Sequence, residues 1–328
     1  MQPPARSYGS ELIVWRLHTQ ADLSSLAALW RAAPAEHIFQ RFEMAAAWAR
    51  VFAGPGGPYR PRIWYCENPP LILPLAEREE VLRWLGDGLW DYCDPLGDAA
   101  APEWRQAPVA QAPAALHGIR ENCGWWTWFQ SQPWKLEYFA DAPFYRAGAL
   151  PPEAAVAALD ERHPRITERL DHLLRAGVEF AMVTEPLERQ RLLAWTLRQK
   201  AARMAALGQA NVLGGLEAAW LAEMVACHPE FCELWRLGPA DRPWAALLTW
   251  SQPGLRLGYT LSFDPAVARH SPGVKLLYAV LRRTVAEGRG FDFLTGSQPF
   301  KLRFASGAQR LWQCHSPAAA AMLNCNQN

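Results

Sequence analysis

LRLGYTLSFDPAVARHSPGVKLLYAVLRRTVAEGRGFDFLTGSQPFKLRF, residues 255–304, reads as a strand, a turn, a helix and a second strand. Leu255 to Phe263 is strand-like, and Asp264-Pro265 turns the chain. Ser271 suits a helix N-cap, and Pro272 suits the first helical position, where its missing N–H is no loss. Val274, Leu277, Tyr278, Leu281 and Val285 follow at helical spacing and make one apolar stripe for a sheet to cover. Gly288 ends the helix, and Phe291-Asp292-Phe293-Leu294 is a strand with Asp292 facing away from the phenylalanines.

The start of that helix has a chemical use. Unpaired N–H groups and the positive end of the helix dipole suit a phosphate, and here they belong to Gly273, Val274 and Lys275. Gly273 lets the backbone approach a ligand closely, and Arg269, His270 and Lys275 add positive charge. Many helices begin this way, so the pattern alone leaves a plain helix start open.

Gly258-Tyr259, Phe263-Asp264-Pro265, Ser271-Pro272-Gly273, Phe291 to Leu294, Gly296 and Lys301 fall in a familiar order and spacing. They resemble CelD/BioF2-like proteins, a group of the GNAT (GCN5-related N-acetyltransferase) superfamily related to the FemAB-type peptidoglycan transferases. The likeness is most specific over residues 244–304 and looser over 152–243. It implies an α/β (α+β) chain of two tandem GNAT-like domains, each a mixed, mostly antiparallel twisted sheet flanked by helices. It also places an acyl-CoA pyrophosphate, acetyl-CoA or a longer thioester, against the turn Arg269, His270, Ser271, Gly273, Val274 and Lys275. Backbone N–H groups on Leu257 to Leu261 would polarise the thioester carbonyl, as an oxyanion hole does. Two departures stand out. Phe300 precedes Lys301 where the family shows Tyr-Lys, and the strict Gln/Arg-x-x-Gly-x-Gly/Ala loop is missing.

Outward from this stretch, the 328 residues exceed the size at which one core usually stops growing, so two domains are expected, 1–150 and 151–328. Half the residues are hydrophobic and a fifth are charged, as in folded globular chains. The seventeen tryptophans are read mainly as core and sheet-face residues, although large aromatics also line grooves. A net charge of +1 argues against a broad grip on DNA or RNA. The seven cysteines form no Cys-x-x-Cys pair and sit beside no histidine at ligand spacing, so no metal is expected and reduced thiols point to the cytoplasm. The opening MQPPARSYGS lacks the apolar core of a signal peptide, and Trp244 to Trp250 is too short to span a bilayer, so no integral membrane segment is expected.

The first half reads as a strand at Glu11 to Leu17, helices at Asp22 to Ala33 and Phe42 to Phe52, and paired strands at Arg62 to Glu67 and Leu71 to Glu77. Residues 98–114 read as a surface loop or broken helix, and Trp125 to Gln130 as a strand. Ser131-Gln132-Pro133-Trp134-Lys135-Leu136 matches Ser297-Gln298-Pro299-Phe300-Lys301-Leu302, and Asp94-Pro95 matches Asp264-Pro265 at a similar offset, which suggests duplication. The first copy lacks Ser-Pro-Gly, so it is expected to have lost cofactor binding. Pro151-Pro152 marks the boundary, and helical sequence runs from Glu153 to Arg175, broken at Pro164. Arg162, Arg165, Arg169 and His172 make a basic stripe there. It resembles the basic helix that opens the catalytic half of CelD-like proteins, which implies attraction of an anionic substrate or the cofactor's phosphates; with Glu161, Glu168 and Asp171 interleaved, a solvated, salt-bridged face is the preferred reading. Strands at Val178 to Val183, Phe231 to Leu237 and Trp244 to Trp250, and helices at Leu187 to Leu207 and Gly214 to Cys227, lead into the focal stretch.

No Gly-x-Ser-x-Gly elbow, Walker lysine loop or His-Glu-x-x-His is present. Acyl transfer from a thioester needs little covalent machinery, since the donor is already activated. Asp292 is the candidate base or orienting group, or else a structural carboxylate that caps a turn or pairs with Lys301. Tyr259 is a candidate acid for the leaving thiolate or a packed aromatic, and Lys301 completes the catalytic set. The expected activity is N-acylation of an amine on a small molecule, sugar or peptide held between the domains. A FemX-like aminoacyl-tRNA-dependent transferase is a second reading, against which the modest net charge and the lack of a basic coiled-coil arm count. A catalytically silent GNAT-fold scaffold in polysaccharide or envelope assembly is a third.

Overall fold

The computed structural model describes residues 15–121 and 123–325. Twelve strands appear among them. In the first half β1 (Arg16–His18), α1 (Ala27–Ala32) and α2 (Phe42–Phe52) precede β2 (Arg60–Cys66), β3 (Leu71–Arg78) and β4 (Val81–Trp84). Then come β5 (Ala115–Arg120), α3 (Trp126–Ser131) and β6 (Lys135–Tyr145). The second half opens with α4 (Pro152–Arg162) and α5 (Pro164–Arg175), split at Pro164 as its missing N–H requires. It continues through β7 (Phe180–Val183), α6 (Pro186–Ala206), α7 (Leu216–Cys227), β8 (Cys232–Leu237), β9 (Ala245–Gln252) and β10 (Leu255–Phe263). After α8 (Pro272–Ala286) come β11 (Gly290–Asp292), α9 (Pro299–Phe304), β12 (Gly307–His315) and α10 (Pro317–Cys325). Of the first expected strand, residues 11–14 lie outside the described residues.

The strands form a four-stranded sheet, β1-β2-β3-β4, and an eight-stranded sheet, β5-β12-β6-β11-β10-β9-β8-β7. A parallel bridge between Leu82 and Ala114 ties β4 to β5 and joins the two. Adding six to every strand number returns this combined order read backwards. The chain is therefore built of two six-strand repeats related by a pseudo-twofold between β6 and β12, and each inserts its last strand into the other's sheet. Every pairing in the two sheets is antiparallel except β10 with β11, and the β4–β5 bridge repeats that exception. The mixed, mostly antiparallel architecture flanked by helices is as the sequence implies.

Two cores sandwich the eight-stranded sheet. One packs α8, α4 and α5 on one face through Leu276, Leu277, Tyr278, Leu281, Leu159 and Leu170. The other joins α6 and α7 to the first repeat through Leu192, Trp220, Trp48 and Phe39. Most of the tryptophans are buried in these cores.

Two expectations need correction, and a third point gains a structural reason. Trp125 to Gln130 is the helix α3 rather than a strand: Trp125, Trp128 and Phe129 are all buried, at i, i+3 and i+4, and helical geometry puts them on one face. The matched hexapeptides are not structurally equivalent. Ser131 ends α3 and Lys135 starts β6, whereas Ser297 and Gln298 precede α9, the counterpart of α3. The duplication rests on topology instead. Finally, fifteen residues of α8 join β10 to β11, but only short 3-10 turns at Pro102–Gln106 and Pro108–Gln111 lie between β4 and β5. The first repeat thus lacks the helix, as well as the Ser-Pro-Gly, on which an anion would rest.

Candidate active site

The start of α8 is built by a reversal. Asp264 accepts the Ala266 N–H at 2.8 Å and caps a 3-10 turn that runs to His270. Ser271 then turns left-handed, with φ 48° and ψ 49°, and Pro272 begins the helix. Ser271 holds the N-cap position, but its hydroxyl makes no capping bond. The Lys275 N–H is taken by the Ser271 carbonyl at 3.1 Å, so Gly273 and Val274 carry the free donors at this mouth. A Cβ on Gly273 would lie 3.3 Å from Phe263 Cδ1 and 3.6 Å from Leu261 Cδ2. The glycine thus serves the close packing of α8 on β10, and Leu261 is the side chain beneath it.

Val274, one of these donors, lines a basin of about 1120 Å³. Arg269, His270, Ser271, Val274 and Lys275 line one wall, Arg303 from α9 adds to it, and Arg165, Arg169, His172 and Arg175 of α5 form the other, with the Glu168 carboxylate among them. The basic stripe is therefore not a salt-bridged face. Arg162 alone turns away, donating to the Ala305 carbonyl, and among the described residues no basin arginine pairs with a carboxylate. Lys275 is buried and donates to the His270 carbonyl. Burial, and then the charge of Arg169, pulls its pKa below the usual lysine range. His270 stacks on Trp244 with ring centroids 5.5 Å apart. The cations outnumber Glu168, a carboxylate that also lines the basin, and an excess of like charge around free N–H groups is what a polyanion would relieve.

On its other face β10 meets the first repeat. β10 and β11 pair at Leu255–Gly290, Arg256–Phe291 and Leu257–Asp292 and then part, and β10 bulges between Gly258 and Thr260. One edge of β10 from Gly258 onward is thus free of its parallel neighbour. The segment Leu89 to Tyr92 grips this junction. The Tyr259 hydroxyl donates to the Leu89 carbonyl at 3.0 Å, Asp91 accepts the Thr295 N–H at 2.9 Å, and the Tyr92 hydroxyl lies 2.8 and 2.9 Å from the Asp292 oxygens.

Asp292 is buried and also accepts the Leu294 N–H at 2.8 Å, which fixes a turn where Leu294 has φ 56°. Burial raises its pKa to about 6, against the bonds from Leu294 and Tyr92 that favour ionisation. Burial likewise holds the Tyr259 and Tyr92 phenols well above their ordinary range. Lys301 is half-buried and donates to the Thr295 carbonyl at 2.7 Å. Burial pushes it down to about 8, although the Asp91 and Asp292 charges oppose this. The structure thus separates the nominated residues into two groups: the basin set on the α8 face, and Asp292, Tyr259 and Lys301 on the α6 face.

Sequence reading missed Asp91, Tyr92 and Lys200. The Asp91 and Tyr92 signal was adjacency to Asp94-Pro95, already singled out. Asp94 itself is buried, 2.7 Å from Arg120 and 3.3 Å from His37, a structural ion cluster under Tyr92. Lys200 offered no signal, being one of many polar residues on a long helix. Among the described residues no group of His, Cys, Asp and Glu side chains could hold a metal ion, and no helix is long and apolar enough to cross a membrane.

The fold is that of GNAT-like proteins. FemX aligns with a TM-score of 0.59 at 7% identity, covering 96% of this chain and 100% of its own. L-PGS from Bacillus licheniformis aligns at 0.56 and 11% identity, covering 90% of this chain and 92% of its own. A conserved protein of unknown function from Bacteroides thetaiotaomicron gives 0.59 at 10% identity, with 93% and 100% covered. At such identities the likeness is one of fold. More narrowly, residues 161–302 match the family model described as an acetyltransferase (GNAT) domain. No curated protein matches the sequence.

Proposed function

We propose that the chain is an acyl-CoA-dependent N-acyltransferase of the CelD/BioF2-like kind. The single observation that carries this reading is the unpaired basic basin at the start of α8, the helix that packs on β10 at Gly273. Gly273 and Val274 N–H groups, Lys275 and Arg269 would hold the diphosphate, with Arg169 facing them across the basin. An acyl-CoA supplies an activated thioester, which an amine opens by forming a C–N bond while the C–S bond breaks. Backbone N–H groups on the free edge of β10 would polarise the carbonyl. Lys301, near neutrality at about 8, would take the ammonium proton of the adduct and return it to the departing thiolate. Asp292 and Tyr259, whose polar atoms are committed to Tyr92, Leu294 and Leu89, would position the junction. The free thiols, mostly buried, suit a reducing compartment.

The test is a panel of acyl-CoA thioesters in a thermal-shift assay. A ligand selective for the native state raises the midpoint, and Arg169→Ser with Arg269→Ser should remove most of that rise while leaving the ligand-free midpoint in place. No shift with any thioester would sink the reading. A second donor, aminoacyl-tRNA, is favoured by one feature: the basin cations of α5 run along most of that helix, from Arg165 to Arg175. That donor would bind with steep salt dependence, several decades of affinity between low and moderate salt.

A further inference from the structure

The α6 face of β10 holds a second group of charges, distinct from the basin. Ser262 Oγ donates to the Thr196 carbonyl of α6 at 2.9 Å, and the Arg203 guanidinium lies over the Phe263 ring at 5.6 Å. Lys200, half-buried, sits on the turn of α6 between those two anchors. Opposite it, Asp91 and Lys301 are both tied to the main chain of one residue, Thr295: Asp91 Oδ1 to its N–H at 2.9 Å and Lys301 Nζ to its carbonyl at 2.7 Å. Lys200 and Lys301 each feel the Asp91 charge, and Lys301 feels Lys200, so the three belong to one cluster of charges at this junction. Yet among the described residues neither ammonium comes within ion-pair distance of the carboxylate. Lys200 has no hydrogen-bond partner there, and Asp91 Oδ2 accepts no bond.

Opposite charges this close normally collapse onto one another unless the scaffold holds them apart. Here it does: Asp91 and Lys301 are tied to the N–H and the carbonyl of Thr295, at 2.9 and 2.7 Å. The threonines at this junction are also unfinished. Thr260, on the same β10 face as Ser262 and only 3% exposed, and Thr295 both have buried hydroxyl oxygens without a partner. A cluster with a separated carboxylate and ammonium, beside two unpartnered hydroxyls, complements a zwitterion.

We propose that the cluster of Asp91, Lys200 and Lys301 takes an acceptor of the amino-acid type, its ammonium against the free oxygen of Asp91 and its carboxylate against Lys200. The proposal rests on the transferase reading and names its acceptor class. It places the attacking nitrogen beside Lys301, the group assigned the proton, and on the face of β10 opposite the basin. Donor and acceptor would then approach the free strand edge from the two sides of the sheet. Amino sugars and simple amines carry no carboxylate for Lys200 and are disfavoured.

The test measures acceptor binding without any donor, so that its failure differs from failure of the transferase reading. The full chain is screened by thermal shift against the twenty L-amino acids and a dipeptide set, each beside its carboxamide, with glucosamine and ethanolamine included. The expected result is at least one acid that raises the midpoint and binds ten or more times tighter than its carboxamide by titration calorimetry. Lys200→Met should bring that ratio to within twofold, and Asp91→Asn should weaken acid and carboxamide alike. Lys200→Met should also leave the thioester-induced shift unchanged, a readout that general damage to the fold would move. Equal binding of acid and carboxamide, a response confined to amines without a carboxylate, or no response to any probe would each overturn the proposal.

Discussion

Lys301 and Asp292 lie on one face of β10, and burial moves their pKa values in opposite directions. For Lys301 the neutral form is the working one, so the rate should rise with pH and level off above about 8. Lys301→Met should lower kcat by roughly 10²-fold and abolish that limb, with the thioester-induced thermal shift intact. Asp292 binds its proton more tightly folded, at about 6 against 3.8. Its contribution to stability is therefore full below the lower value and is lost as pH rises through the upper one. Urea midpoints of the parent should fall between pH 4 and pH 7 by an amount on the order of 2–3 kcal/mol relative to Asp292→Asn. A flat difference between the two proteins would remove the linkage. Asp292, Tyr259 and Lys301 could be nominated from sequence because their family positions are set by nearby turns. Asp91, Tyr92 and Lys200 could not. Asp91 and Tyr92 make hydrogen bonds to residues 204 and 200 positions away, and Lys200 acts through its charge on Lys301 about a hundred positions away, which no local pattern encodes.

Leu89 to Tyr92 is the element that converts two repeats into one site. Tyr92→Phe removes the hydroxyl bonded to a buried carboxylate and should destabilise the chain by about 1–3 kcal/mol. It should also raise the Asp292 pKa further, visible as a shift of the acid limb in the stability profile. An unchanged profile would show that the bond carries no weight. The elements legible in sequence were those with a self-contained signal. β10 and α2 were read to the residue, and α8 to within its caps, because strand alternation or an apolar helical stripe is complete within each. The basic stripe on α5 was misjudged for a related reason. Interleaved acids look like pairing partners along a helix, but Asp171 reaches across to Arg282 instead and leaves the arginines free.

At the scale of the molecule, β6 and β12 escaped sequence reading altogether. Each pairs with strands from the other half, and Trp312 against Tyr138 is typical of that distance. Both neighbours of β12, namely β5 and β6, come from the first repeat. Residues 151–328 produced alone should therefore yield no folded monomer, and co-production with residues 1–150 should restore a single cooperative melt. A stable, monomeric 151–328 fragment would contradict the shared sheet. The reversed strand order also says how such a molecule is assembled from less. A gene of half the length could make the whole shape as a pair of identical chains trading their final strands. Once a linker fused them, descent could treat the copies unequally, stripping one of its anion-facing helix while the other retained it.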